Sequence, residues 1–209
     1  MAIRAQEVHR VTPALFAWQA YDPTSKVDLT SVAHLVDGRL VMVDPVELAE
    51  QAEAELLAAG EPVAIVLTNG NHGRASARLA VSWQVPVLCH EAAVAGTGIV
   101  PDACVDDGQE LLGGLTVITL PGGGPGELAL YHARAQALSF GDLVINLPGY
   151  EFSLLPDKYC LEPHQARASL QKLRALAVSR VTFAHGWPVV TGAGDRLAGL
   201  LEKIHQNNN

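Results

Sequence analysis

Apolar and polar positions along the chain mark out an alternation of strands and helices. Residues 31–36 and 39–43 are β-rich runs separated by Asp37-Gly38, a dipeptide suited to a two-residue hairpin. Asp44-Pro45 then reads as an N-cap followed by proline at the first helical position, which predicts a helix through about Ala59 with Gly60 as its stop. Residues 62–67 (PVAIVL) form a continuous apolar run of strand length, as expected for a strand buried on both faces. The next stretch, Thr68-Asn69-Gly70-Asn71-His72-Gly73, has loop composition, and a helix is predicted from about Arg74 to Trp83. Strands follow at 85–89, in a hairpin over 109–120 around Gly113-Gly114, and at 127–132 and 137–140. From Pro163 the spacing Ala166, Leu170, Leu173, Ala177 is helical. A strand at 181–184 and a closing helix over 195–204 complete the series.

This order gives two β-α halves, each placing helices outside a sheet, and favours a layered α/β sandwich over a barrel or a simple doubly wound sheet. In such proteins polar groups gather where loops leave the carboxyl ends of strands. Five exits can be read: Asp44, the segment 69–74, Gly122-Gly123-Gly124, Gly141-Asp142 and His185. A long, aromatic-bearing stretch over 146–160, with Tyr150, Phe152 and Tyr159, follows the Asp142 exit and is expected to form a lid or binding wall, with Trp187 facing it.

With 209 residues and 49% hydrophobic side chains the chain has material for one sizeable core, so a single domain over 1–205 with a polar tail at 206–209 is expected. Fourteen basic against 22 acidic side chains leave a net charge of −8, and no basic cluster offsets it, which argues against nucleic acid as a partner. Three cysteines without CxxC spacing fit neither a disulfide framework nor a zinc ribbon. Cys89 reads as a small buried apolar residue. The first residues lack the apolar core of a signal peptide, and no apolar run is long enough to span a membrane. The expectation is a soluble, cytoplasmic protein with a small-molecule ligand and no membrane partner; a homo-oligomer is left open.

The five exits, in their order and spacing, resemble the metallo-β-lactamase fold superfamily. The resemblance implies a four-layer αβ/βα sandwich and spans residues 8–205. The family's opening hairpin ends in an Asp, where Asp44 stands. Its HxHxDH loop falls on Asn69-Gly70-Asn71-His72-Gly73-Arg74, its PGH turn on Pro121-Gly122-Gly123, its bridging Asp on Asp142, and its last His on His185. Several of these positions depart from the family pattern. Asn69, Asn71 and Gly123 stand where the first metal would take three His, and an amide oxygen is a poor zinc ligand. Gly73 and Arg74 replace two ligands of the second metal, while Asp142 and His185 remain.

Two readings follow from the resemblance and its departures. In the first, the dinuclear site is dismantled and no metal is held. Arg74 pairs with Asp142 in place of the lost charge, and the cleft of Asn69, Asn71, His72, Arg74, Asp142 and His185 binds a small anionic ligand. In the second, the protein is a hydrolase of an ester or thioester, not a conventional dinuclear zinc enzyme. Either His72, Asp142 and His185 hold one zinc or other divalent ion, or an imidazole acts as general base. A structural or interaction subunit is a third class. Asp44 is read as a helix cap and the PGGGPG stretch as a turn rather than a phosphate cradle.

Overall fold

Along the strand Arg39–Val43, Leu40 and Met42 turn to one face and Val41 and Val43 to the other, and all four are buried. A strand apolar on both faces must be covered on both, and this one rule organises the molecule. The computed structural model describes residues 3–112 and 114–207. One sheet takes its strands in sequence order: β1 (His9–Thr12), β2 (Leu15–Asp22), β3 (Val27–Val36), β4 (Arg39–Val43), β5 (Glu61–Val66), β6 (Val87–Cys89) and β7 (Ala103–Cys104). Pairing is antiparallel through β4 and parallel from β4 onward. The other sheet is also in sequence order: β8 (Glu110–Leu111), β9 (Leu115–Thr119), β10 (Leu128–His132), β11 (Ala137–Phe140) and β12 (Arg180–Thr182), with only β11 and β12 parallel.

Leu40, Met42, Ile65 and Leu67 meet Ala52 and Leu56 of helix α1 (Glu50–Ala59) and Leu79 of α2 (Ser76–Trp83). Val41, Val43 and Val66 meet Leu115, Val117, Leu128 and Leu130 between the sheets. After a short helix α3 (Val94–Thr97), the far face of the second sheet, through Leu138, Phe140 and Val181, packs on α4 (Pro163–Ser169), its 3₁₀ continuation Leu170–Ala175, and α5 (Ala193–Asn207). The order is helix, sheet, sheet, helix: the expected αβ/βα sandwich.

The Asp37-Gly38 hairpin is present, with φ of 49° and 78° at its two central residues, the left-handed pair that a tight hairpin demands. Other expectations are corrected. Strands β1 and β2 were not anticipated. Helix α1 begins at Glu50 behind Ala49, not at Asp44-Pro45, because residues 47–48 first pair with residues 4–5 as a short parallel ladder. The 163 helix ends before Ala177, whose carbonyl accepts the Tyr131 hydroxyl instead. Helix α5 takes in residues 206 and 207 of the expected tail. Gly113, expected in the β8–β9 turn, lies outside the described residues, as do 208 and 209. Among the described residues no helix is long and apolar enough to cross a membrane.

A buried imidazole sits between the sheets. His34 on β3 bonds the Ser139 hydroxyl at 2.8 Å, and its ring meets His132 on β10 edge-on at 5.9 Å. Burial and then His132 push its pKa from 6.5 down to about 3. The folded protein therefore keeps His34 neutral where the unfolded chain binds a proton, so stability falls as pH drops below 6.5 towards 3. His34→Leu is expected to flatten that limb by up to about 1.4 kcal/mol per pH unit. Urea midpoints between pH 4.5 and 7 would check it; parallel curves for the two proteins would refute it.

Candidate functional site

The exits of β4, β5, β11 and β12 come together at one end of the sandwich, and the chain there is held by side chains rather than by ladder bonds. Asp44 leaves β4 with φ 47° and is 1% exposed. Its carboxylate accepts the Thr68 amide at 2.8 Å and the Thr68 hydroxyl, and it faces His72 Nδ1 at 2.9 Å. Asp44 is thus a buried anchor, not the helix cap its sequence context suggested. Its bonds fix the loop after β5, and that loop turns the His72 ring inward.

His72 Nε2 lies 3.1 Å from Asp142 Oδ1, and His185 Nε2 lies 3.3 Å from the same oxygen. The rings of His72 and His185 are 5.7 Å apart. The three donor atoms fall within 4.8 Å of one another. The outer nitrogen of each ring is also oriented: His72 Nδ1 by Asp44 and Thr68, and His185 Nδ1 by the Asp28 carbonyl at 3.3 Å. Yet Asp142 Oδ1, although buried, accepts no hydrogen bond of normal geometry. Its other oxygen accepts from Asn69 Nδ2 at 3.0 Å.

Behind Asp142 stands Glu127, 2% exposed, which sequence reasoning missed. Its carboxylate accepts the amides of Asp142 (2.6 Å), Leu143 and Gly124, and the Asn69 side chain at 2.9 Å. The one available signal was a carboxylate opening an otherwise apolar strand directly after the glycine-rich turn. That turn is tightly packed: a Cβ on Gly123 would stand 2.8 Å from Leu143 Cγ.

The electrostatics follow from burial and proximity. Burial alone would lower the His72 pKa, but Asp142 and then Asp44 outweigh it and push it up to about 10. Burial would raise Asp142, yet His72 and His185 hold it well below the usual carboxylate range. Glu127, buried and facing Asp142, is pushed up to about 8.

Of the residues expected here, His72, Asp142, His185 and Asn69 come together, and Asn71 lies exposed at the edge, donating its amide to Asn69 Oδ1 at 2.8 Å. Arg74 does not join them. Its guanidinium donates to the carbonyls of Thr30 (2.6 Å), Asp44 (2.8 Å) and Ala184 (3.1 Å) and forms no ion pair with Asp142. The left-handed backbone at Arg74, φ 42°, turns the side chain under the site, where it ties β3 and β4 to the end of β12. The expected Arg74–Asp142 pair is therefore wrong, and His72 occupies the place beside Asp142.

Outside Asp142 and His185 opens a cleft of about 420 Å³. Tyr150 and Tyr159 line it, as the lid reading expected, whereas Phe152 is buried on Phe183 and Trp187 stacks edge-on against His9.

A sequence-family model described as the metallo-beta-lactamase superfamily matches residues 6–204. The chain belongs to that superfamily. Solved metallo-beta-lactamases share its fold. DIM-1 metallo-beta-lactamase exposed to ceftazidime superposes with a TM-score of 0.75 at 13% identity, over 97% of this chain and 99% of that one. The metallo-beta-lactamase from Pontibacter korlensis gives 0.70 at 20% identity, over 94% and 98%. TTHA1623 in a di-iron-bound form gives 0.66 at 25% identity, over 82% and 94%. No curated protein sequence matches the chain. Asn69 spends its amide on Glu127 and Asp142, and among the described residues three potential ligands converge, His72, Asp142 and His185, the set the single-metal alternative expected.

Proposed function

We propose that the cleft holds one divalent transition-metal ion on His72 Nε2, Asp142 Oδ1 and His185 Nε2, and that the protein hydrolyses an ester- or thioester-type bond there. One observation carries this reading: Asp142 Oδ1 lies 3.1 and 3.3 Å from two imidazole nitrogens and accepts a hydrogen bond from neither. A tetrahedral ion with bonds of about 2.0–2.1 Å places its ligand atoms roughly 3.3 Å apart, and three protein ligands leave one position open, the pattern of catalytic zinc. Anchoring of each outer ring nitrogen by a carboxylate or carbonyl belongs to the same pattern. The neighbour at 25% identity is itself a metal-bound protein, with two irons where this chain offers ligands for one ion.

The chemistry such an ion supplies is Lewis acidity towards water and a carbonyl oxygen. The chain's own residues supply the rest. Asp44 keeps the Nδ1 proton on His72 and so presents Nε2 as a lone pair. Asn69 holds Asp142 Oδ2 and leaves Oδ1 facing the rings. Glu127, through the amides of Asp142 and Leu143, fixes the backbone from which Asp142 projects. The Asp28 carbonyl sets the rotation of His185.

A second reading has its own observation. His72 lies between two carboxylates, Nδ1 2.9 Å from Asp44 and Nε2 3.1 Å from Asp142, and as an imidazolium would bridge them and offset one of the two charges. The protein would then bind a small ligand without metal, as expected from the sequence for an anionic one, but without Arg74 as its partner. Elemental analysis of protein purified without chelator or a His-tag separates the two. Close to one equivalent of zinc or iron per chain, together with turnover of chromogenic esters or thioesters, is expected. A protein that carries no metal and resists loading would overturn the lead reading.

A further inference from the structure

Most of the cleft wall is apolar, with Ser25 and Asn71 its uncharged polar members away from the floor. Val27, Ile145, Leu147, Tyr150, Leu155 and Tyr159 form its walls, with Pro156 beside them, while Asp142 and His185 close the bottom. Among the described residues no lysine or arginine lines it. Arg74, the cation expected to draw an anionic ligand, spends its guanidinium on three carbonyls beneath the site. Lys158, at the rim, lies over the Tyr159 ring at 4.7 Å. Away from the floor, where the ion would sit, the walls carry no charged side chain, and an anion along them would be desolvated without an ion pair from the wall itself.

We propose that the group next to the scissile bond is an uncharged apolar chain or ring, seated along these walls, and not an anionic moiety. The proposal rests on the hydrolytic reading above for the position of the reacting bond at Asp142 and His185. At about 30 Å³ per non-hydrogen atom the cleft has room for on the order of ten such atoms, enough for a medium-length acyl chain or a substituted aryl ring. Tyr150 and Tyr159, 52% and 61% exposed, are the surfaces such a group would cover.

Two probe series test this and keep the two readings apart. Linear alkyl hydroxamates from two to ten carbons, and their equivalents ending in a carboxylate, are titrated calorimetrically into zinc-incubated protein. Linear alcohols and ω-hydroxycarboxylates of the same lengths are titrated into chelator-treated protein. In both series affinity is expected to rise about three- to fourfold per methylene until the cleft is filled, and a terminal carboxylate is expected to weaken binding tenfold or more. Affinity independent of chain length, or carboxylate-ended chains binding as well as methyl-ended ones, would overturn the proposal. If only the hydrolytic metal reading fails, hydroxamates bind no better than alcohols while the length dependence persists in both series. Tyr159→Lys, at a position 61% exposed, is expected to reverse the preference towards carboxylate-ended chains. An unchanged preference in a folded Tyr159→Lys protein would place the chains elsewhere and count against the cleft.

Discussion

His72→Ala is expected to leave the protein unable to retain a transition metal, with affinity falling by more than 100-fold. The reasoning is one of ligand number. Asp142 and His185 alone offer two donor atoms, one short of what a catalytic site takes from protein. Loss of an outer partner that merely orients a ligand already costs about 10–100-fold, and loss of the ligand itself costs more. The substitution also removes the group lying between Asp44 and Asp142, both largely buried, so some loss of stability accompanies it. Metal per chain by elemental analysis and a competitive zinc titration read the first effect, and urea unfolding reads the second. A variant that still binds one equivalent tightly would remove His72 from the site. Arg74→Gln serves as a contrast, since its guanidinium touches only carbonyls: it is expected to loosen the fold while the metal stoichiometry stays.

Asp44→Ala is expected to destabilise the fold by about 3–5 kcal/mol, the cost of leaving a buried ion pair half broken. Asp44 is 1% exposed and accepts from the Thr68 amide, the Thr68 hydroxyl and His72, so its loss strands three donors at once. Asp44→Asn separates support from chemistry. The amide oxygen can still accept from Thr68, so most of the stability is expected to remain. Its nitrogen, facing His72 Nδ1, would move the ring proton to Nε2 and block the lone pair aimed at Asp142. Metal affinity is then expected to fall about 10–100-fold in a folded protein. Equal losses of stability in the alanine and asparagine variants would show that Asp44 supports the loop and does nothing for the ring.

How much of this was legible in the sequence depends on what each residue's neighbours reveal. The PVAIVL run and the Asp37-Gly38 hairpin announce themselves because period and turn chemistry are local. The exits at Asp142 and His185 follow from strand ends in the same way. Strand β2 escapes because Gln19 interrupts a run that is otherwise apolar on both faces, Leu15 and Ala17 facing the other sheet and Phe16, Trp18 and Ala20 the helices, and β1 (HRVT) is too short and too polar to show a period. Asp44 misleads because Asp-Pro is a good helix start, and only the fold brings Thr68 and His72 to its carboxylate. Arg74 misleads for a different reason. Position in a motif implies a direction only if the backbone is regular; Arg74 is left-handed and points under the site, while the Asp44-anchored loop turns His72 in. Glu127 is invisible to any local pattern, since its partners lie at positions 69, 124, 142 and 143.

Each sheet is drawn from one contiguous half of the chain, and the donor set is divided between them. Asp44, Thr68 and His72 come from the first half, and Glu127, Asp142 and His185 from the second. The site is therefore a seam, and whatever is held there acts as a rivet. A ligand set tolerates displacements of only about half an ångström, so the rivet gauges how faithfully the two halves register. Trimming a side chain at the interface, Val43 or Leu128 for instance, would show as slackened ion binding well before it showed as unfolding, and the distant packing between two sheets becomes measurable at three atoms.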